Sequence, residues 1–229
     1  MQAQGQLLLH YGGSFADSDT MIESEYIIKK EDLRQFGLND FFTKTFEQFK
    51  AELNRLHDTI YNYNDHKLLF ALNERAWLGV FNNAIINAFP ESAVTLQEFS
   101  VYNEGKFVGR ADFLVHWKAG NGKEFYLLFE AKQYEETSRS KILNDTWDDL
   151  NKIKLQAQKY FDAEISYYEG KTVYIIPIAF GWIKKEGFLD EAKKYFLKGQ
   201  QKDQTSDFCA LFYENEVGMW IYGKIFEPK

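Results

Sequence analysis

Three side chains that could do chemistry fall on two neighbouring β-rich segments, on either side of a Gly-Asn-Gly loop. Asp112 lies on the first segment, and Glu130 and Lys132 lie on the second. Side chains alternate between the faces of a strand, so Glu130 and Lys132 share one face. Carboxylates suit Mg²⁺, and an ammonium group can stabilise negative charge developing on a phosphodiester. The pattern therefore indicates metal-assisted phosphodiester hydrolysis, if Asp112 shares that face.

The length of the loop decides on which face Asp112 lies. A two-residue turn at Asn121-Gly122 would place the carboxylates of Asp112 and Glu130 on opposite faces of the sheet. A three-residue loop, from Gly120 to Gly122, pairs Asp112 directly with Glu130. We predict the loop of odd length, or a bulge with the same effect.

A simpler interpretation of the same residues is an edge hairpin with a surface Glu/Lys pair. Against it, the run from Phe125 to Phe129 is apolar on both faces, which is typical of a central strand. Charged groups that directly follow such a strand lie at its C-terminal end, where α/β proteins tend to keep their sites. Spacing alone leaves both interpretations open.

The segments GRADFLV and LLFEAKQ, joined by a loop, resemble the core motif of the PD-(D/E)XK nuclease superfamily. Ala111 stands where that motif has proline. The resemblance implies that Asp112, Glu130 and the backbone carbonyl of Ala131 bind Mg²⁺ or Mn²⁺. It also implies that Lys132 assists the attacking water.

Two further features extend the resemblance over residues 65–182. Glu74 lies on a predicted helix before the sheet, where the family has a glutamate that completes the metal site. Gln156 and Tyr160 lie four residues apart on the helix after the sheet, and therefore share a face. The pair resembles the extra motif of RecB-like and lambda-exonuclease-like nucleases, which positions the DNA strand. The alternatives are a surface glutamate and an ordinary polar helix face.

Arg110 and Lys152 are further candidates for contacts with the substrate. Arg110 lies two residues before Asp112, and Lys152 lies one helical turn before Gln156. Basic side chains in such places can bind phosphate groups, although a solvated helix face is the ordinary role of a lysine.

The elements that must position these residues follow from periodicity and from turn residues. We predict helices at 39–63, 66–88, 144–163 and 188–197, and strands at 94–102, 106–117, 125–131, 171–180, 208–213 and 219–226. The strand at 171–180 should run parallel to the strand of Glu130, because a helix connects them. The predicted class is α/β (or α+β), a mixed sheet flanked by helices that resembles a restriction-endonuclease-like core. Residues 1–63 would form an N-terminal helical extension packed on a nuclease-like domain at 64–229.

The predicted helix at 39–63 carries an apolar stripe at heptad-like spacing: Phe42, Phe46, Phe49, Leu53, Leu56 and Ile60. We favour packing of this stripe on the protein's own domain over a dimer-forming coiled coil, which needs at least three or four heptads. A homodimer or a partner protein stays open as an alternative.

Composition sets outer limits on function. The chain has 229 residues, 45% of them hydrophobic, and a single cysteine. No apolar run is long enough for a transmembrane helix, and the cysteine usage suits a reducing cytoplasm. The net charge of −7 argues against broad nonspecific binding to nucleic acid, but a local basic groove can coexist with an acidic surface.

The sequence thus predicts a metal-dependent nuclease that acts on DNA. The alternative is a catalytically inactive module of the same fold that binds nucleic acid or a partner protein.

Overall fold

The computed structural model of the protein describes residues 22–28, 37–61, 72–134, 141–183, 188–193, 207–215 and 217–229. These residues form an α+β structure built on one seven-stranded mixed sheet with flanking helices. The strands are β1 Glu23–Ile28, β2 Ala93–Asn103, β3 Lys106–Lys118, β4 Glu124–Tyr134, β5 Thr172–Ile183, β6 Phe208–Glu214 and β7 Val217–Gly223. Their order across the sheet is β1-β6-β7-β5-β4-β3-β2.

Helices cover both faces of this sheet. They are α1 Asn39–Tyr61, α2 Glu74–Ala88, α3 Lys141–Ala163, α4 Ile165–Tyr168 and α5 Phe188–Ala192. The helices α1 and α2 share one buried apolar cluster with the first face of the sheet. The helix α3 packs on the other face through two further clusters. The predicted mixed sheet with flanking helices is therefore confirmed.

The first four side chains of the apolar stripe of α1 are buried inside the protein, Leu56 is half-buried, and the side chain of Ile60 lies outside the described part of the structure. Phe42, Phe46, Phe49 and Leu53 have no exposed surface. Phe42 stacks on Phe208 with ring centroids 4.2 Å apart, so the stripe packs on the sheet of its own chain. This confirms the prediction of self-packing. These four side chains are covered by the protein's own core, and a homodimer or a partner protein stays an untested alternative.

The helix α2 begins later than its apolar pattern predicts. The segment 66–71 lies outside the described residues, but Leu72 and Asn73 are not helical. The side chain of Asn73 accepts a 3.0 Å hydrogen bond from the backbone N–H of Ala76, which makes Asn73 the N-cap. Glu74 is consequently the first residue of the helix, whereas a start at 66 would have placed it in the middle.

The connection from β4 through α3 to β5 is the predicted helical crossover, and β4 and β5 pair in parallel. The closing hairpin of β6 and β7 extends the main sheet. The strand β1 pairs with β6 at one edge of the same sheet. The predicted boundary near residue 63 lies outside the described residues. On its N-terminal side, β1 and α1 add a strand to the main sheet and side chains to the main core.

Among the described residues, no helix is long and apolar enough to cross a membrane.

Candidate functional site

The loop between β3 and β4 has the predicted odd length. The backbone N–H of Ala119 donates a 2.8 Å hydrogen bond to the carbonyl of Lys123, which closes a three-residue loop. Gly122 has a φ of +83°, a conformation that favours glycine. The strands pair from Lys118 with Glu124 as far as Phe113 with Phe129. The predicted register is therefore confirmed.

Asp112 and Glu130 form the next pair beyond the end of this ladder, and their carboxylates take the place of backbone partners. The N–H of Ala131 donates a 2.8 Å hydrogen bond to Oδ2 of Asp112. The N–H of Asp112 donates to Oε2 of Glu130 at 3.4 Å. The two carboxylates therefore hold β3 and β4 together at the point where their backbone ladder ends.

Burial and nearby negative charges make both groups reluctant to ionise. Burial, followed by the charge of Asp112, raises the pKa of Glu130 to about 8, although the N–H of Asp112 opposes this shift. Burial also raises the pKa of Asp112, and the charges of Glu74 and Glu98 add to that increase. The N–H of Ala131 lowers it again in part. Positive charge brought between the two carboxylates would relieve this cost.

Glu74 comes from α2, which packs on the face of the sheet opposite α3. As the first residue of α2, it accepts a 2.6 Å hydrogen bond from the N–H of Gln133 on β4. The side-chain amide of Gln133 donates in turn to the carbonyl of Leu72 at 2.7 Å. The negative charge of Glu74 raises the pKa of both Asp112 and Glu130. Three carboxylates therefore lie within electrostatic reach of one another.

The predicted pair on α3 reaches the carboxylates directly. The side-chain amide of Gln156 donates to Oε1 of Glu130 and also to the hydroxyl of Tyr160, at 2.9 Å. Tyr160 is buried and packs over Gly109 of β3, where an added Cβ would lie 2.7 Å from the tyrosine ring. Burial and the charge of Glu130 raise the pKa of the Tyr160 hydroxyl. The pair therefore fixes Glu130 and packs on β3.

The remaining predicted residues lie on β3, β4 and α3. Lys132 is exposed on β4 two residues after Glu130, and Lys152 is exposed on α3. Ala131 is buried and pairs with a residue of β5. Arg110 is bound by Glu98, with 3.4 Å between Nη1 and Oε2.

Three residues beside the site, Glu98, Arg75 and Gln133, were not predicted to belong to it. Glu98 binds Arg110 and also Arg75, with 2.9 Å between Arg75 Nε and Glu98 Oε1. Gln133 fixes Glu74 through its backbone N–H. Gln133 lies within the LLFEAKQ segment, but no pattern in the sequence indicated the partners of Glu98.

The donor set of the site fits a hard divalent cation. Its carboxylate oxygens are the ligands that Mg²⁺ prefers, and a cation between them would offset the burial and the negative charges that raise their pKa values. No group of three His, Cys, Asp or Glu side chains in the described ranges is already arranged to hold a metal ion. Glu74, Asp112 and Glu130 instead accept hydrogen bonds from the protein.

No protein-family model matches the chain, and a comparison with curated proteins finds no match. The fold and the site define an α+β protein in which a half-buried aspartate and a buried glutamate lie together where the β3–β4 ladder ends.

Proposed function

We propose that this protein is a metal-dependent nuclease that hydrolyses phosphodiester bonds of DNA, with a restriction-endonuclease-like core. The observation that carries the proposal is the pairing of Asp112 with Glu130 at the end of the β3–β4 ladder. A buried glutamate beside a half-buried aspartate, whose charge raises the pKa of the glutamate, is a costly arrangement. A divalent cation bound between the two carboxylates would offset this cost.

Asp112, Glu130, the backbone carbonyl of Ala131 and Glu74 would hold Mg²⁺ or Mn²⁺. Such a cation, when bound, would supply an activated water and offset negative charge on the phosphodiester. The N–H of Ala131 fixes one oxygen of Asp112 and leaves its second oxygen for a ligand.

Gln156 keeps Glu130 in position, because its amide donates to one carboxylate oxygen while the N–H of Asp112 holds the other. A carboxylate oxygen has two lone pairs, so each of these oxygens can accept a further bond. Tyr160 in turn fixes Gln156. We expect this chain of contacts to hold Glu130 still while the reacting strand is bound.

Lys132 would act on the attacking water and on the phosphate group. Its exposed ammonium group lies two residues after Glu130 on the same strand, where it can orient a water molecule and stabilise charge on the phosphorus oxygens. Arg110 and Lys152 would contact phosphates of the bound strand.

An inactive module of the same fold, which binds nucleic acid or a partner protein, is the second candidate. The observation that favours it is that all three carboxylates already accept hydrogen bonds from the protein. The net charge of −7 also suits a protein partner. Such a module would gain no stability from a divalent cation.

Cleavage of circular and linear DNA with Mg²⁺ or Mn²⁺ tests the proposal. Wild type should give metal-dependent products that vanish in Lys132→Ala and persist in Lys118→Ala. Lys118 is an exposed lysine at the opposite end of β3, so its loss removes the same charge away from the site. Products that do not depend on Lys132, or none with either cation, would contradict a nuclease built on this site.

A further inference from the structure

A bridge of three charged side chains lies beside the carboxylate pair. The carboxylate of Glu98 on β2 binds Arg75 of α2 at 2.9 Å and Arg110 of β3 at 3.4 Å. The three residues come from three different elements, so the bridge exists only in the folded protein. Two guanidinium groups are thereby gathered at one place on the surface.

This bridge lies beside the carboxylate pair, at the same position along neighbouring strands. In the β2–β3 ladder, Gln97 pairs with Phe113 and Phe99 pairs with Ala111, so Glu98 lies opposite Asp112. The charges of Arg75 and Glu98 both act on the ionisation of Asp112, which places the bridge within electrostatic reach of the site.

The backbone of Glu98 is in an unusual conformation for a strand. Its φ is +46°, in the left-handed region that residues other than glycine seldom adopt. Gln97 and Phe99 keep their partners on β3, so the irregularity is confined to one residue. Such local strain persists where the surrounding structure holds it, often at functional sites.

The guanidinium groups remain accessible. The side chains of Arg75 and Arg110 are 77% and 56% exposed, and that of Glu98 is 37% exposed. Each guanidinium carries five N–H donors, which is more than one shared carboxylate can accept. Ion pairs as exposed as these stabilise a fold only weakly, so a stronger anion can take over part of the contact. A phosphate group is such an anion, because it accepts bidentate hydrogen bonds from arginine.

We propose that Arg75 and Arg110, held together by Glu98, form a binding site for a backbone phosphate of the nucleic acid strand that enters the Asp112–Glu130 site. This inference rests on the proposed function and adds a separate step to it. The phosphate bound here belongs to the strand next to the scissile position. Glu98 is a positioning residue, since it acts through the two arginines.

The salt dependence of DNA binding tests this site. Affinity for a short fluorescent DNA is measured at several salt concentrations, with Ca²⁺ in place of Mg²⁺, for wild type, Arg75→Gln and Arg110→Gln. Loss of one phosphate contact should reduce the slope of log K against log salt by about 0.9 for a duplex or ~0.7 for a single strand. The control, Lys118→Gln, removes the same charge from the same sheet about 26 Å along β3 from Arg110, and should leave the slope unchanged.

Lower slopes in both arginine variants, with thermal stability and the control unchanged, would support the site. Equal effects of all three substitutions, no effect of either arginine, or no binding by wild type would overturn it. Glu98→Gln separates positioning from simple charge. It makes the surface more positive, yet we expect weaker binding because the arginines lose their common partner. Tighter binding would overturn the positioning role.

The two proposals can fail separately. Slopes that change in a protein that never cleaves DNA would support the phosphate site and contradict the nuclease. Cleavage that requires Lys132 but is indifferent to Arg75 and Arg110 would support the nuclease and contradict the phosphate site.

Discussion

The backbone N–H of Ala131 donates a 2.8 Å hydrogen bond to Oδ2 of Asp112, where a backbone carbonyl would stand in a regular antiparallel ladder. The last regular pair of the β3–β4 ladder is Phe113 with Phe129. The side chain of Asp112 therefore continues the strand pairing by one step while the strands separate. The same hydrogen bond therefore stabilises the pairing of β3 with β4 and positions a carboxylate of the site.

Replacement of Asp112 by asparagine should separate these two roles. The amide oxygen of Asp112→Asn can still accept from Ala131, and the loss of a charge beside Glu130 removes repulsion. We expect the free energy of unfolding in EDTA to stay within about 1 kcal/mol of wild type or to rise. Metal-dependent cleavage should fall by at least about a hundredfold, since even partners outside the metal's own ligands often cost 10- to 100-fold. Denaturant unfolding and gel assays measure the two effects; a destabilised variant with normal cleavage would contradict the account.

The stability of the metal-free protein should fall as pH rises through the range of Glu130. The pKa of this group is raised from 4.5 to about 8 in the folded state, so the folded protein binds more protons than the unfolded chain between those values. Stability is therefore lost as pH rises through this window, by an amount on the order of a few kcal/mol, and levels off above it. Denaturant unfolding in EDTA at several pH values measures the slope.

The variant Glu130→Gln should lose much of this pH dependence and exceed wild type in stability at the upper end of the window. Glu124→Gln is the control, because Glu124 is an exposed glutamate at the other end of β4. If Glu130→Gln keeps the full slope, Glu130 is not the titrating group.

Gln156 should support activity through Glu130. In Gln156→Ala the carboxylate of Glu130 loses a donor, and hydrogen bonds to charged groups contribute about 1.5–3 kcal/mol. We expect a loss of stability in that range above the pKa of Glu130, and cleavage reduced by roughly 10- to 100-fold. Gln158→Ala is a matched control on the same helix, where Gln158 also donates to an acid, Asp162, at 2.8 Å. If both substitutions reduced cleavage equally, Gln156 would act only by stabilising α3 and not through Glu130.

Gly109 should be intolerant of a side chain. A Cβ there would lie 2.7 Å from the ring of Tyr160, and that overlap would push the tyrosine away from Gln156. We expect Gly109→Ala to destabilise the protein by about 1–3 kcal/mol. The double variant Gly109→Ala/Tyr160→Ala should show less than the sum of the two single losses. Gly120→Ala, with open space around the added Cβ, is the control; additive losses would show that the ring of Tyr160 is not the obstacle.

The register of the central hairpin could be predicted because it depends on local residues. The Gly-Asn-Gly loop and the apolar run before Glu130 determine which residues face each other, and the structure has the predicted pairing. The parallel pairing of β4 and β5 also followed from sequence, since a helix of this length permits a crossover.

Contacts between distant residues could not be predicted in the same way. The apolar pattern predicted a helix from residue 66, but α2 begins at Glu74 after its N-cap Asn73, so the predicted start placed Glu74 too far into the helix. Glu98, which binds Arg75 and Arg110, has a positive φ although it is not glycine. No local pattern indicates such a conformation.

Calorimetric titration of the metal-free protein with Mn²⁺ asks whether Asp112 and Glu130 hold a divalent cation. We expect saturable binding that weakens as pH falls below the pKa of Glu130, about 8, and that is lost in Asp112→Asn. Glu124→Gln should bind Mn²⁺ as wild type does. Absence of binding, or binding indifferent to Asp112, would contradict a metal-dependent site and favour the inactive module.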